Sequence, residues 1–480
     1  MIAQYLYSIG VMTGNSLDGV DALLCKIHDD GRIEDLDSYS VPNPEKLAAA
    51  LRSLRQEVVY CQGNVGGAEK LFNEKYAVQH GDVEKVHKEY LQTVSDCINQ
   101  LTAKNKIMPD IIGFHGQTCA HNPPSIAGGK DKSKLYTIQF GNGQELADAC
   151  NTTVIYDFRS DDIFAGGEGA PLAAVHHEHL AAQLKARGFF PIAFCNAGNT
   201  GNATVVSFYK SDLKAATIAW DAGPFNHFAD LLMRSEKQKE MDFDGRIGEG
   251  GKVNLELLQA LFEKSSAGKE SNFITQPLPK SSDPQWYRFI DELKNTRLSF
   301  EDRLRTAEYF AAYVLCYSFS LLSEDLEFPR FFALSGGGWK NKVIYRHFVA
   351  LLGGDREISP LLPGHEEVFA GLNRRAVNFK AELSSFYGFD GQYMEARIFA
   401  DAAACRVKGI PFTKPETTGA ERECVLGIIR FPKGNVSNCT KPLRTLIEKQ
   451  SSLNLTLDKP EIFNPRWSRA SAGWSSLIDS

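Results

Sequence analysis

A chain of 480 residues is longer than one hydrophobic core usually supports, which predicts two lobes of roughly 150 to 250 residues each. Hydrophobic residues make up 43%, charged residues 23%, and the formal net charge is −6, which excludes a disordered chain and a broad basic surface for nucleic acid. The ten cysteines (25, 61, 97, 119, 150, 195, 316, 405, 424 and 439) stand singly without a C-x-x-C pair, as reduced thiols of a cytoplasmic protein do.

No basic segment leading into an apolar run opens the chain, so secretion is not expected. The first strand-like run, "YLYSIGV" from Tyr5, leads into "GVMTGNSLDGVD" (Gly10 to Asp21), and "DALLCKI" follows as a second strand. In that loop Gly10, Gly14 and Gly19 permit positive φ and close approach, while Thr13, Asn15 and Ser16 offer hydroxyl and amide groups. A plain β-hairpin and a phosphate-holding loop fit it equally well. A helical pattern, "VEKVHKEYLQTVSDCINQL", runs to Leu101 with apolar residues three and four apart. Strand-like "DIIGFHG" then delivers His115 beside Gly116 and Gln117, a polar loop suited to sugar hydroxyls, although a structural histidine fits as well.

"GGKDKSK" (128–134) has the composition of a surface insertion, and "LYTIQFG" and "TVIYDF" read as further strands. "HHEH" (176–179), just after Pro171, lacks the H-E-x-x-H spacing of a metal site and is expected to be a solvated helix start. "PIAFCNAG", "TVVSFY" and "TIAWDAG" are strands whose ends carry the glycine clusters "CNAGNTGNATV" and "WDAGPFN"; a third cluster is "LSGGGWKNK" (334–342). Backbone amides at such strand ends can bind phosphates, and bare glycine surface can receive a nucleobase. Asp221, between "TIAW" and "AGPFN", is either a general base at a strand end or a cap of the helix expected at Asn226–Met233. "GEGGKV" (248–253) fails as a Walker loop, and no dinucleotide fingerprint is present.

The stretch 263–283 reads as another surface insertion. Helices are expected at Arg303–Leu322 and Lys340–Leu352. The apolar window Tyr309–Leu322 is shorter than the ~18 to 20 residues of a membrane span, so it is expected to be a buried helix and no membrane partner is implied. After about Gly427 the chain becomes irregular, and 431–480 is expected to be an appended tail. Strands alternating with helical patterns place the chain in the α/β class.

The motifs in order, "GVMTGNSLDGVD", "HGQT", "QFGN", "DFRSDDIFAGGEGAPL", "NAGNTGN", "DAGPFN", "DGRIGEGGKVN", "LPKSS", "SGGGWKN" and "GFDGQYMEARIFA" followed by "TTGA", resemble the anhydro-N-acetylmuramic acid kinases of the hexokinase/actin-like superfamily over most of residues 5–427. The resemblance implies a two-lobed fold with a cleft between lobes. One lobe would be 1–157 with about 385–430, the other 158–384. It further implies an ATP- and Mg2+-dependent kinase that hydrolytically opens 1,6-anhydro-N-acetylmuramic acid and phosphorylates O6 in cell-wall recycling, and it is compatible with a homodimer. By resemblance Asp221 is the catalytic base and Asp18 lies near the metal. ATP would be held by Gly14, Asn15, Ser16, Leu17, Asp18, Gly19, Val20 and Asp21 of the first phosphate hairpin. Asn196, Gly198, Gly201 and Asn202 would form the second phosphate region, and Gly336, Gly337, Gly338 and Asn341 the adenosine loop. His115, Gly116, Gln117, Arg159 and Glu395 match the sugar side.

The chain departs from the family pattern at three places. Ser160 and Asp161 stand where the family reads two arginines, Phe225 replaces a glycine, and Asn15 replaces a threonine. An aspartate at the arginine position would repel a substrate carboxylate. A neutral anhydrosugar such as levoglucosan, or a non-catalytic sensor of ATP or sugar, therefore stays open as an alternative.

Overall fold

The opening run of β-formers becomes β1 (Tyr5–Thr13), which turns back as an antiparallel hairpin into β2 (Gly19–His28) with Thr13 opposite Val20; β3 (Ile33–Pro42) pairs outside β2. The computed structural model describes residues 5–433 apart from 15–16, 132, 265–271, 281–290 and 295–296, together with 443 and 467. Three helices follow: α1 (Glu45–Tyr60), α2 (Val65–His80) and α3 (Val83–Asn105). The carboxylate of Asp82 caps α3 by accepting the Lys85 N–H, and the helix buries the apolar stripe that its spacing predicts. Next come β4 (Ile111–Phe114), the ribbon of β5 (Gln117–Asn122) and β6 (Tyr136–Phe140) around α4 (Pro124–Ala127), then α5 (Gly143–Cys150), β7 (Thr153–Tyr156), α6 (Ser160–Phe164) and α7 (Ala173–Ala186).

A second sheet begins with the antiparallel strands β8 (Ile192–Ala197), β9 (Thr200–Phe208) and β10 (Ala215–Pro224), and is extended by β11 (Phe331–Ser335) and β12 (Lys380–Leu383). Between β10 and β12 lie α8 (His227–Leu232), α9 (Leu255–Lys264), α10 (Phe300–Phe319), α11 (Lys342–Gly353) and α12 (Glu366–Arg375). The chain then forms α13 (Met394–Lys408), α14 (Pro415–Thr418) and β13 (Ile428–Arg430). The α/β class expected from the alternation is what folds.

By packing, the chain divides into two units, Met1–Leu180 with Tyr393–Ser480, and Ala181–Gln392. The first is built on the sheet β13-β7-β4-β1-β2-β3, where β4 runs parallel to both β1 and β7. Helix α13 packs on β1, β2 and β4 so closely that a Cβ on Gly10 would stand 1.8 Å from the Ala396 carbonyl oxygen and one on Gly113 2.0 Å from that of Phe399. Glycine is therefore required at these two strand positions, whereas Ser8 of β1 meets the same helix by donating its hydroxyl to the Ala400 carbonyl. The second unit is built on the sheet β10-β9-β8-β11-β12 and centred on α10, whose residues from Thr306 to Cys316 are all buried. The apolar window is thus a core helix, as expected. Among the described residues no helix is long and apolar enough to cross a membrane.

The expected tail lies outside the described residues except for 431–433, Leu443 and Trp467. Trp467 is buried in the first unit, its ring 4.9 Å from that of Phe140 and its indole N–H donated to Glu69.

Candidate active site

The tip of the β1–β2 hairpin is braced from outside. The Leu17 N–H closes onto the Gly14 carbonyl at 3.1 Å with φ of +61° at Leu17, and Asn43 donates its backbone N–H to the Asp18 carbonyl and its side-chain amide to that of Leu17. Gly19 has no room for a side chain, because a Cβ would meet the Val41 carbonyl oxygen at 2.5 Å. Asn15 and Ser16 lie outside the described residues. Asp18 is exposed, Val20 is buried in the hairpin, and Asp21 accepts the Ser40 hydroxyl at 2.5 Å, which in turn meets the Tyr393 hydroxyl at 3.0 Å.

Four of the residues read as sugar-side lie close together in the first unit. Arg159 donates Nε–H to His115 Nε2 at 3.0 Å and Nη1–H to the Gly169 carbonyl at 2.8 Å. Because Nε2 accepts, the proton of His115 sits on Nδ1 and is donated to the Gly116 carbonyl at 2.8 Å. Burial, with the Arg159 charge beside it, pushes the imidazole pKa well below its ordinary value, so the ring is a neutral acceptor that orients Arg159. Gly116 adopts a left-handed φ of +78°, and Gln117 is buried on β5 with its amide donated to the Thr118 carbonyl. Burial also lowers Arg159 to about 10, against the pull of Glu395 and Asp162. Glu395, in the first turn of α13, keeps solvent contact yet is crowded by protein. That crowding raises its carboxyl pKa, Asp21 and Asp18 raise it further, and Arg159 lowers it. The hairpin carboxylates and the Arg159–Glu395 pair thus share one electrostatic neighbourhood.

The two departures in "DFRSDD" face inward. Ser160 is fully buried and donates its hydroxyl to Asp157 at 2.5 Å, and Asp161 accepts the Gly427 N–H at 2.8 Å. Asp162 accepts the Gly169 N–H and the Thr418 hydroxyl. Asp161 is thus tied to the backbone just ahead of β13, and Asp162 holds the "TTGA" region through Thr418.

In the second unit the glycine clusters converge. Asn196 and Gly201 flank the β8–β9 turn, with Asn196 opposite Asn202. The Gly198 carbonyl accepts the Asn226 N–H at 3.1 Å, and the Asn199 carbonyl accepts that of Phe225 at 2.8 Å. A Cβ on Gly336 would stand 2.6 Å from the Ala197 carbonyl oxygen and one on Gly338 2.5 Å from Asn226 Oδ1, while Gly337 between them faces open space. Phe225 fills the core instead of a pocket: it is buried against Gly201, 5.3 Å edge-on from Trp339. The Asn341 side chain accepts the Val343 and Ile344 N–H groups and donates to Glu308, so it caps α11.

The helix after Asp221, α8, has Asn226 at its N-cap and no side-chain cap, so Asp221 does not cap it. Asp221 lies on β10 opposite Asn202, at a bulge between Asp221 and Gly223, and its N–H is donated to the Lys280 carbonyl at 2.9 Å. Lys280 is buried, with Nζ donating to the carbonyls of Phe273 and Ile274 at 2.9 and 2.8 Å. Burial lowers its amine to about 7, and the nearby Asp221 opposes that shift. Nothing in the sequence singles out Lys280 beyond its place in "LPKSS", because burial of a lysine has no local signature. Tyr393 and Ser40, which brace Asp21, escape sequence reading for the same reason: they are 353 residues apart.

"HHEH" also departs from expectation. It does open α7, but His176 and His177 are buried, and His176 and His179 each place Nδ1 2.8 Å from Asp401 Oδ2. A partner helix that is buried on every side makes this stretch interior rather than solvated.

The family model of anhydro-N-acetylmuramic acid kinase matches residues 6–360 and 367–433. Three curated proteins of that name are similar to the chain. The one from Ruegeria sp. (strain TM1040) is 30% identical over 436 residues, covering 89% of this chain and 95% of its own. That of Pseudomonas syringae pv. tomato is 30% identical over 441 residues, covering 88% and 98%. That of Haemophilus influenzae is 29% identical over 444 residues, covering 89% and 98%.

Proposed function

Because the chain belongs to the anhydro-N-acetylmuramic acid kinase family, we propose that it uses ATP to convert 1,6-anhydro-N-acetylmuramic acid into N-acetylmuramic acid 6-phosphate, a step of cell-wall recycling. Water adds to C1, the C1–O6 bond of the anhydro ring breaks, and O6 takes the γ-phosphoryl group as the bond to ADP breaks. Asp221 accepts the proton from the attacking water. The observation that carries this assignment is the position of Asp221, at a bulged strand end next to a buried amine, in the motif the family reads there.

In the first unit Arg159, aimed by His115 and balanced by Glu395, binds the lactyl carboxylate, and Gly116 and Gln117 line the same loop. Phosphate oxygens meet the backbone of Gly14 to Asp21. The exposed Asp18 carboxylate is the hard oxygen donor that Mg2+ takes, and that ion supplies charge neutralisation to the phosphates when bound. In the second unit Asn196, Gly198, Gly201 and Asn202 serve the phosphates, and the open face of Gly337, locked in place by Gly336 and Gly338, suits the nucleobase. Asn341 holds that loop through its cap on α11. The nine cysteines among the described residues are all unpaired, which suits a cytoplasmic enzyme.

A panel of anhydrosugars incubated with MgATP, with ADP and sugar phosphate both measured, tests the reading. Equimolar ADP and N-acetylmuramic acid 6-phosphate are expected. Transfer to levoglucosan alone, or ATP binding without transfer to any sugar, would overturn it. Asp221→Asn is expected to retain ATP binding and lose about 10²- to 10⁴-fold in kcat, the usual share of a general base. Unchanged turnover would remove Asp221 from that role.

A further inference from the structure

The reaction proposed above makes no use of the "HHEH" histidines, yet they meet a constellation of metal-ligating groups inside the first unit. His176 and His179 are three residues apart on α7, and Asp401 and Cys405 four apart on α13, so each pair shares one helix face. One oxygen of Asp401 faces both imidazole Nδ1 atoms at 2.8 Å, and Cys405 Sγ lies 3.8 Å from the other oxygen. The ligand atoms of His179, Asp401 and Cys405 all fall within 4.8 Å of one another. Asp401 and Cys405 are buried, while the His179 side chain stays 23% exposed and leaves a path for an ion to enter.

We propose that His179 Nδ1, an Asp401 oxygen and Cys405 Sγ bind a zinc-class divalent ion, with His176 as a positioning residue that holds the Asp401 carboxylate by its hydrogen bond. Mixed nitrogen, oxygen and sulfur ligands are the set that zinc accepts, and three of them leave a fourth position for water. Ligand atoms in a tetrahedral zinc site stand roughly 3.3 to 3.8 Å apart, given bonds of about 2.0–2.3 Å. The imidazole and the carboxylate need to part by about half an ångström relative to their hydrogen-bonded spacing, and the widest pair of the three, within 4.8 Å, to close by up to about 1 Å, adjustments within the reach of side-chain torsions. On binding, the Cys405 thiol releases its proton to solvent and His179 keeps its single proton on Nε2. The two ligand charges, carboxylate and thiolate, neutralise the ion. Arg397, whose charge is felt at His176, does not oppose it unbalanced, because its guanidinium is paired with Asp35. A histidine hydrogen-bonded behind a ligand carboxylate is the outer support that metal sites commonly carry.

The inference is independent of the kinase reading, and its test measures no turnover. Full-length protein stripped with a chelator is titrated with Zn2+ against a chromophoric competitor, and with Co2+ followed by absorption. One equivalent of either ion should bind, and the cobalt form should show a thiolate-to-metal charge-transfer band with the strong visible bands of four-coordination. Cys405→Ser should abolish the thiolate band, His179→Gln should weaken binding at least tenfold, and His176→Gln should weaken it about 10- to 100-fold while keeping the band. Failure to bind a stoichiometric ion, or an undiminished thiolate band in Cys405→Ser, overturns the proposal. Should Cys405→Ser not fold, His179→Gln, changed at a partly exposed position, decides: unchanged affinity there overturns it equally.

Discussion

At the scale of single residues, the pairing of Asp221 with Lys280 has a measurable consequence. A protonated amine near the carboxylate stabilises its charged form, so removing that amine raises the pKa of the base. Lys280→Met is therefore expected to move the acidic limb of the kcat/KM pH profile toward higher pH and to lower the plateau. An acidic limb in its original place would show that the amine has no electrostatic say. The same substitution leaves the Phe273 and Ile274 carbonyls without their donor, so profiles are compared on folded protein only. Sequence made Asp221, His115 and the glycine loops legible from local motifs with their own chemistry, and Arg159 through the family resemblance alone. It left Lys280, Ser40 and Tyr393 in the background, since what matters about them is burial and long-range contact. It also suggested an open charge at Asp161, where the structure has a carboxylate tied to the Gly427 N–H.

Among the elements, α13 was the least legible and the most consequential. Its residues from Ala396 to Val407 are buried on every side, so the apolar period that reveals α3 is missing. Strands β1, β8 and β10 stood out because runs of β-formers reach glycine, β2 and β9 by their β-formers alone, and α10 by its long apolar window. The contact of α13 with the sheet admits no added methyl: the atoms facing Gly10 and Gly113 are helix backbone. Gly10→Ala and Gly113→Ala are each expected to cost about 2 kcal/mol or more, toward the upper end of overpacking effects, because backbone cannot rotate away. Urea unfolding of each variant measures this. Gly128→Ala, where nothing lies within 4 Å but φ is +79°, separates backbone strain from clash and should cost less. A loss under 0.5 kcal/mol at Gly10 would mean that the helix can lift from the sheet.

The whole molecule carries a pH dependence written in its buried histidines. Burial lowers His121 in the first unit and His347 in the second to about 3, and His115 and His177 are also held low. In the unfolded chain each titrates near its ordinary value of about 6.5, so between there and pH 3 the unfolded state binds more protons than the folded one. Stability then falls as pH drops, by up to about 1.4 kcal/mol per pH unit for each such histidine once well below 6.5. Denaturant midpoints at pH 7.5 and 5.5 are expected to fall together for both units. His121→Asn and His347→Asn, though destabilising at neutral pH, should each flatten the slope, and equal slopes in all three proteins would refute the account. The first unit is also discontinuous along the chain, since Tyr393–Ser480 returns to it after Ala181–Gln392. On the ribosome this imposes an order of events. At about 5–20 residues per second, the roughly 210 intervening residues take some 10–40 s to be made. Throughout that interval β1 and β4 wait with Gly10 and Gly113 uncovered, while the second unit, continuous in sequence, is the first that can be completed. A released chain truncated after Gln392 should therefore protect the second unit from protease and leave the first one open.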